Sequence, residues 1–104
     1  MNIQELEYMS ARAGEVAALM GDLSNPGRLR ILCALAAGPM EVGALSRALA
    51  LPQPTVSRHL ATLREAGMVA SSRDGTRVLN RLADPKVAEL MAVLHRLYCA
   101  PPPD

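Results

Sequence analysis

The sequence contains no phenylalanine and no tryptophan, and it has only two tyrosines. A hydrophobic core must therefore be assembled from leucine, valine, alanine and methionine, which are mostly helix formers. Half of the 104 residues are hydrophobic, which is enough for one domain with a modest core. Because a chain of this length buries a limited fraction of its surface, we expect a mainly helical domain that extends its core by dimerisation.

Other absences argue against whole classes of protein. The first 20 residues carry acidic side chains and have neither the basic start nor the apolar segment of a secretory signal peptide. No apolar run approaches the length of a transmembrane helix, so we expect a cytoplasmic protein, in which a permanent disulfide is disfavoured. The chain has no Cys-x-x-Cys pair, no Ser–His–Asp set and no phosphate-binding loop, so we do not expect an enzyme.

Apolar periodicity and helix-capping residues predict five helices and one hairpin. Asn25 and Gly38 are expected to cap the second helix at its two ends, and Asp84 to cap the last helix. The pair Asp74-Gly75 between two extended runs predicts a β-hairpin. The C-terminal segment 100–104 is proline-rich and is expected to be a disordered tail. The predicted helices cover roughly residues 3–20, 26–38, 41–51, 52–67 and 85–98.

Two short helices joined tightly and followed by a hairpin describe a winged helix-turn-helix, a mainly α fold with a small β-hairpin wing. In such a fold the second helix of the pair enters the major groove of DNA. Val56, Leu60 and Leu63 form the apolar stripe of this fourth helix, and its other face is rich in hydrogen-bond donors and short polar side chains. A helical bundle with an incidental hairpin is the alternative, but it leaves that polar face unexplained.

The polar face predicts a DNA-reading surface. Arg58 is suited to pair with guanine and Gln53 with adenine, while short side chains let the helix approach the bases and phosphates. Between residues 53 and 81 five arginines face only Glu65 and Asp74, a local excess that favours a polyanionic partner. We therefore expect double-stranded DNA to be contacted by Gln53, Thr55, Ser57, Arg58, His59, Arg73 and Arg77. For His59, packing is the alternative role.

Three segments together resemble the ArsR/SmtB family of small dimeric bacterial repressors. They are NPGRLRILCAL, VGALSRALALPQPTVSRHLATLREAGMV and RDGTRVLNRLA, and they span nearly the whole chain. The resemblance implies a homodimer formed by the first and last helices, with residues 1–99 as the DNA-binding and dimerisation domain, bound to an inverted-repeat operator. One departure is Pro52, where many members have a serine that caps the recognition helix. The helix start is then expected to depend on Pro54 and on packing.

The metal sites usual in this family are not matched. One type places a Cys-x-Cys motif near the third helix, but the segment PMEVGAL holds no cysteine. Another type places paired acids and histidines on the last helix, where this chain has Asp84 and the single His95. We therefore expect no metal site of these kinds and no cofactor.

The two cysteines, Cys33 and Cys99, resemble those of the sulfide-responsive (BigR/SqrR-like) subgroup of the family. The resemblance implies that persulfides or polysulfides bridge the two thiols within one subunit and release the repressor from DNA. A direct disulfide needs Cα atoms within about 7 Å, whereas a chain of extra sulfur atoms spans a wider gap. Two alternatives stay open: Cys33 as a small packed side chain, and both thiols as part of a sensor for As(III) or Cd(II).

Overall fold

A computed structural model describes residues 1–99 and residue 101. In this part of the chain five α-helices and one two-stranded antiparallel hairpin follow one another as predicted. The predicted tail, residues 100–104, lies outside the described residues apart from Pro101. The elements are α1 (Ile3–Leu23), α2 (Pro26–Leu35), α3 (Val42–Leu49), α4 (Gln53–Glu65), β1 (Val69–Asp74), β2 (Arg77–Leu82) and α5 (Pro85–Leu94), with a π-helical turn at His95–Cys99.

The predicted N-terminal caps are confirmed. The Asn25 side chain accepts a 3.0 Å hydrogen bond from the backbone N–H of Arg28, and a proline follows it at the first position of α2. The Asp84 carboxylate accepts a 2.9 Å bond from the backbone N–H of Lys86 at the start of α5. Each cap satisfies a donor that the first turn of a helix leaves without an internal partner.

Three predicted helix ends differ from the structure by three residues or more. Helix α1 continues to Leu23 rather than Met20, and α2 ends at Leu35, three residues before the predicted cap. Gly38 has a φ of +146°, a conformation that L side chains rarely adopt, and it lies in the turn that redirects the chain toward the wing. The α-helical part of the last helix stops at Leu94, and a wider π turn carries the chain to Cys99.

The hairpin has the predicted turn. Val69 pairs with Leu82 at its base and Asp74 with Arg77 at its tip, where Gly75 takes the left-handed conformation with φ +64°. Met40 adds an isolated antiparallel bridge to Asn80, through reciprocal backbone hydrogen bonds of 2.9 Å. The segment after α2 is therefore fixed to β2, the second strand of the wing.

Helix α2 is central, as expected, and packs against α1, α3, α4 and β2. The core consists of aliphatic residues and methionines contributed by α2 through α5, by β1 and by the turn just before β1: Ile31, Leu32, Leu35, Leu45, Val56, Leu60, Leu63, Met68, Val69, Val87 and Met91. Every residue of α1 is exposed or half-buried in the single chain. Among the described residues, no helix combines the length and apolar character that a membrane span requires.

Candidate nucleic-acid interface and thiol cavity

The turn between α3 and α4 is three residues long and is held by side chains from two helices. Ala50 ends α3 in the left-handed conformation, with φ +53°. The Ser46 hydroxyl donates to the carbonyl of Leu51, whose N–H donates back to the Ser46 carbonyl at 3.1 Å. Arg30 of α2 donates to the carbonyl of Leu49 at 2.7 Å, where a cation also complements the C-terminal end of the helix dipole. These bonds set the orientation of α4 relative to α3.

Helix α4 begins without a side-chain cap, as the sequence predicts. Pro52 occupies the N-cap position and its ring has no hydrogen-bonding group to offer, while Pro54 lies in the first turn. Proline in the first turn preorganises φ for the helix and removes a donor that has no partner there. The start of α4 therefore depends on proline conformation and on packing of its apolar stripe.

The predicted reading face of α4 is partly open to solvent. Gln53, Ser57 and Arg58 are exposed, whereas Thr55 is half-buried. The opposite face is fully anchored, because Val56, Leu60 and Leu63 are all buried in the core. Three candidate donors therefore project from a helix that the core holds in place.

His59 is less exposed than Gln53, Ser57 and Arg58. It is half-buried and packs on the first turn of α2, where its imidazole Nε2 lies 2.8 Å from the position a Cβ would take at Gly27. Burial lowers the pKa of His59, and the positive charges of Arg28 and Arg58 lower this pKa further. His59 therefore connects the recognition helix to the start of α2, in line with the packing alternative.

The two arginines of the wing differ in their surroundings. Arg73 and Arg77 are both exposed, on β1 and β2 respectively. The Arg77 guanidinium forms an ion pair with Glu41, the N-cap residue of α3, and this bond raises the pKa of Arg77. A DNA phosphate would therefore compete with the Glu41 carboxylate for the Arg77 guanidinium. Arg73 is exposed next to the hairpin turn.

A polar network behind the wing was not predicted from the sequence. Asn80 is only 3% exposed, its amide nitrogen donates to the Met40 carbonyl at 3.2 Å, and its amide oxygen accepts from the Ser71 hydroxyl at 2.8 Å. Arg64 of α4 reaches the same hydroxyl at 3.4 Å. The available signal was an asparagine two residues from Val78 and two from Leu82 in a predicted strand, where alternate residues share a face and a buried amide must find partners.

The two cysteines line one cavity between α2 and the end of the last helix. It measures about 550 Å³, and most of its wall is apolar. Both thiols are exposed in the single chain. The lining residues are Leu29, Cys33, Ala36, Ala37, Ala88, Met91, Ala92, Leu94, His95, Tyr98 and Cys99.

The surroundings of Cys33 favour the thiol over the thiolate. Its pKa is raised by burial and, secondarily, by the negative charge that Cys99 can carry. The Cys33 sulfur donates its S–H to the Met91 sulfur at 3.7 Å. Two arginines close to Cys33 in sequence are engaged elsewhere: Arg28 donates to the Asp22 carbonyl at 2.7 Å, and Arg30 to the end of α3.

Comparison with known proteins identifies the family. Residues 25–71 match the model of the bacterial regulatory protein, arsR family. The chain is 44% identical over 96 residues to the biofilm growth-associated repressor of Agrobacterium fabrum, an alignment that covers 92% of this chain and 82% of that protein. The chain belongs to the arsR family. This arsR-family membership confirms the predicted winged helix-turn-helix regulator and excludes the enzyme alternative.

Two solved structures extend the comparison. Reduced HlyU from Vibrio cholerae aligns with a TM-score of 0.79 at 39% identity, covering 94% of this arsR-family chain and all of that one. The homodimeric winged helix-turn-helix DNA-binding domain of Mb0332 from Mycobacterium bovis aligns with a TM-score of 0.72 at 35% identity, covering 86% and 82% of the two chains. Both alignments therefore extend beyond residues 25–71, which the family model matches.

Proposed function

We propose that this arsR-family protein is a dimeric transcriptional repressor, acting in the cytoplasm on an inverted-repeat DNA operator. In this proposal, residues 1–99 form the DNA-binding and dimerisation domain. Reactive sulfur species, persulfides or polysulfides, are the inducer: they cross-link Cys33 to Cys99 and the repressor releases DNA. The observation that carries the sensing step is that both thiols open into one apolar cavity.

DNA binding is supported by the exposed donors of α4 on a buried apolar anchor and by the arginines of the wing. Arg58 is the principal candidate for base recognition, since guanidinium pairs bidentately with guanine. The Agrobacterium fabrum relative is named a repressor, which supports repression as the direction of control. His59 acts in this scheme by positioning α4 as well as by facing the DNA with Arg58.

Dimerisation is supported by apolar side chains that the single chain leaves in solvent. On α1 the exposed large hydrophobic residues include Leu6 at 55% exposure, and on the π turn Leu97 is 63% and Tyr98 81% exposed. Monomeric proteins rarely expose so many large apolar groups on two elements, and a symmetric partner covers both at once. The Mb0332 domain, which is homodimeric, supports the same assembly.

The cross-linking step follows ordinary thiol–sulfane exchange. The thiolate of one cysteine attacks a sulfane sulfur of a polysulfide, an S–S bond breaks, and the departing fragment keeps the electron pair and takes a proton. The thiolate of the other cysteine then attacks the sulfur chain attached to the first and expels hydrogen sulfide or a shorter polysulfide. The two thiols lose two electrons in total, and the polysulfide is reduced by two. A covalent link between α2 and the π turn would change the position of the DNA-binding elements relative to the helices that are proposed to form the dimer. The proposal requires the bridged form to bind DNA more weakly than the reduced form.

The As(III) or Cd(II) alternative has less support. These ions require a third or fourth strong ligand besides two thiolates. Within residues 1–99 and 101, no group of three or more histidine, cysteine, aspartate or glutamate side chains is arranged to hold a metal. Reactive sulfur chemistry needs only the two thiols.

Arg58→Ala tests DNA recognition. Duplexes bound by the wild-type protein are first selected from a random pool, and affinities are then measured at fixed salt concentration. We expect Arg58→Ala to weaken specific binding by about 1–3 kcal/mol. Arg12→Ala on α1 is the control, because it removes the same charge from an exposed surface pair outside α4 and the wing. Equal affinities for the two variants would remove Arg58 from the reading surface.

Cys33→Ser and Cys99→Ser test sensing. Both variants are expected to bind the selected duplex like wild type and to stay bound after treatment with sodium tetrasulfide. Mass spectrometry of treated wild type is expected to find the peptides of Cys33 and Cys99 joined through sulfur within one chain. Release of Cys33→Ser from DNA by tetrasulfide would refute the thiol switch while leaving the repressor assignment intact.

A further inference from the structure

Three sulfur atoms, not two, surround the thiol cavity. Met91 is buried in the core, yet its thioether sulfur lies 3.7 Å from the Cys33 sulfur and its side chain lines the same cavity as Cys99. The three residues come from α2, α5 and the π turn. The cross-linking reaction uses the two thiols and leaves the thioether without a chemical role.

The spacing of Cys33 and Met91 matches that of two ligands on one metal ion. Sulfur–metal bonds of about 2.3 Å that meet at trigonal or tetrahedral angles place two sulfur ligands about 3.8–4.0 Å apart. The observed 3.7 Å separation is within a few tenths of an ångström of that value. A metal ion that replaces the shared S–H proton would thus find two ligands already at coordination distance.

The ligand types select the ion. Thiolate and thioether sulfur are soft donors, and their combination suits Cu(I) rather than Zn²⁺, Mg²⁺ or Ca²⁺. Zn²⁺ requires four nitrogen, sulfur or oxygen ligands in its structural sites, and the absence of a harder cluster among the described residues argues against it. Most of the cavity wall is apolar, which disfavours a hydrated divalent ion.

We propose that Cys33, Met91 and Cys99 form a binding site for Cu(I). Copper stays in the cuprous state on binding, and each thiol that becomes a ligand releases one proton to solvent. The site uses the same two thiols as the sulfur switch but does not depend on that switch being correct. With both thiolates held by the ion, neither is free to attack a sulfane sulfur, so bound Cu(I) protects the pair from cross-linking.

The test is competition for Cu(I) with bicinchoninate under anaerobic conditions. The reduced full-length protein is titrated into the coloured Cu(I)–bicinchoninate complex, and loss of colour reports transfer. We expect transfer of one Cu(I) per chain for wild type and loss of this transfer in Cys33→Ser. Met91→Leu is the decisive variant, because it conserves volume in the core and removes only the thioether. We expect it to bind Cu(I) at least tenfold more weakly than wild type.

Two further measurements make the outcome unambiguous. X-ray absorption of the loaded wild type is expected to show three sulfur ligands, and Met91→Leu two. Tetrasulfide treatment of Met91→Leu is expected to cross-link its thiols as in wild type, which separates this site from the sensing proposal. Failure of wild type to take Cu(I) from bicinchoninate, or equal affinity and equal sulfur count in Met91→Leu, would overturn the proposed site whether or not the sulfur switch operates.

Discussion

Gly27→Ala tests whether the contact between His59 of α4 and Gly27 of α2 holds the two helices together. Gly27 is the second residue of α2, where alanine is ordinarily the better helix former by up to about 1 kcal/mol. Here an added Cβ would lie 2.8 Å from Nε2 and 3.1 Å from Cδ2 of His59. A contact of 2.8 Å is shorter than real Cβ atoms show, so the imidazole must leave its place or α2 must shift.

The expected magnitude follows from these opposing terms. Overpacking of this kind costs about 1–3 kcal/mol, against a helix-propensity gain of at most about 1 kcal/mol. We therefore expect Gly27→Ala to lower the free energy of unfolding by about 1 kcal/mol. In the His59→Ala background the two closest contacts are removed and only Asn25 Oδ1, at 3.2 Å, remains near the added Cβ, so the same change is expected to be close to neutral. The two positions should thus show a coupling energy of at least about 1 kcal/mol.

Urea denaturation of the two single variants and the double variant measures this coupling, at one protein concentration because a dimer gains apparent stability by mass action. Gly43→Ala is the matched control: Gly43 is the second residue of α3, and its added Cβ meets nothing closer than the Arg47 guanidinium at 3.4 Å. If Gly27→Ala and Gly43→Ala change the free energy of unfolding equally, and the coupling energy between positions 27 and 59 is below about 0.5 kcal/mol, then His59 does not contribute to the packing of α4 on α2.

Three further predictions concern a charge, a buried amide and the dimer surface. Because the pKa of His59 is lowered below 6.5 in the folded protein, the unfolded chain binds the proton first, so unfolding free energy should fall as pH drops below 6.5 until the folded-state pKa is passed. His59→Gln should remove this slope, and an unchanged slope in pH-dependent denaturation would contradict the assignment. Asn80→Ala should cost about 1–3 kcal/mol in urea denaturation, since it removes both part-buried side-chain hydrogen bonds of a buried residue, and Ser71→Ala should cost about 1 kcal/mol, since it removes one of these bonds and an exposed contact with Arg64; equal costs for the two variants would contradict this assignment. Leu97→Glu should weaken dimerisation by about 3–6 kcal/mol, the burial energy of two leucines, whereas Val78→Glu on the wing should leave light-scattering mass unchanged; a dimeric Leu97→Glu would place the interface elsewhere.

Local signals predicted most of the elements. Asn25 and Asp84 cap their helices because their short polar side chains reach a backbone N–H two or three residues ahead. The Asp74-Gly75 turn and the buried stripe of α4 are likewise decided by a few adjacent residues. The helix ends were predicted less well, because termination depends on the contacts that the chain makes afterwards. The end of α2 shows this: the segment leaves the helix to reach Met40, whose backbone pairs with Asn80, 40 residues away.

The sequence by itself determined the order of helices and hairpin, the face of α4 that enters the core, and the two thiols available for chemistry. Only the tertiary structure decided that Cys33 and Cys99 share a cavity with Met91, that His59 turns onto Gly27, and that Arg77 meets Glu41. The physical reason is one of range. Helix capping, turns and amphipathic periodicity depend on residues that are close together in the sequence. The contacts listed above join side chains that are far apart in the chain, and they form only when the helices pack.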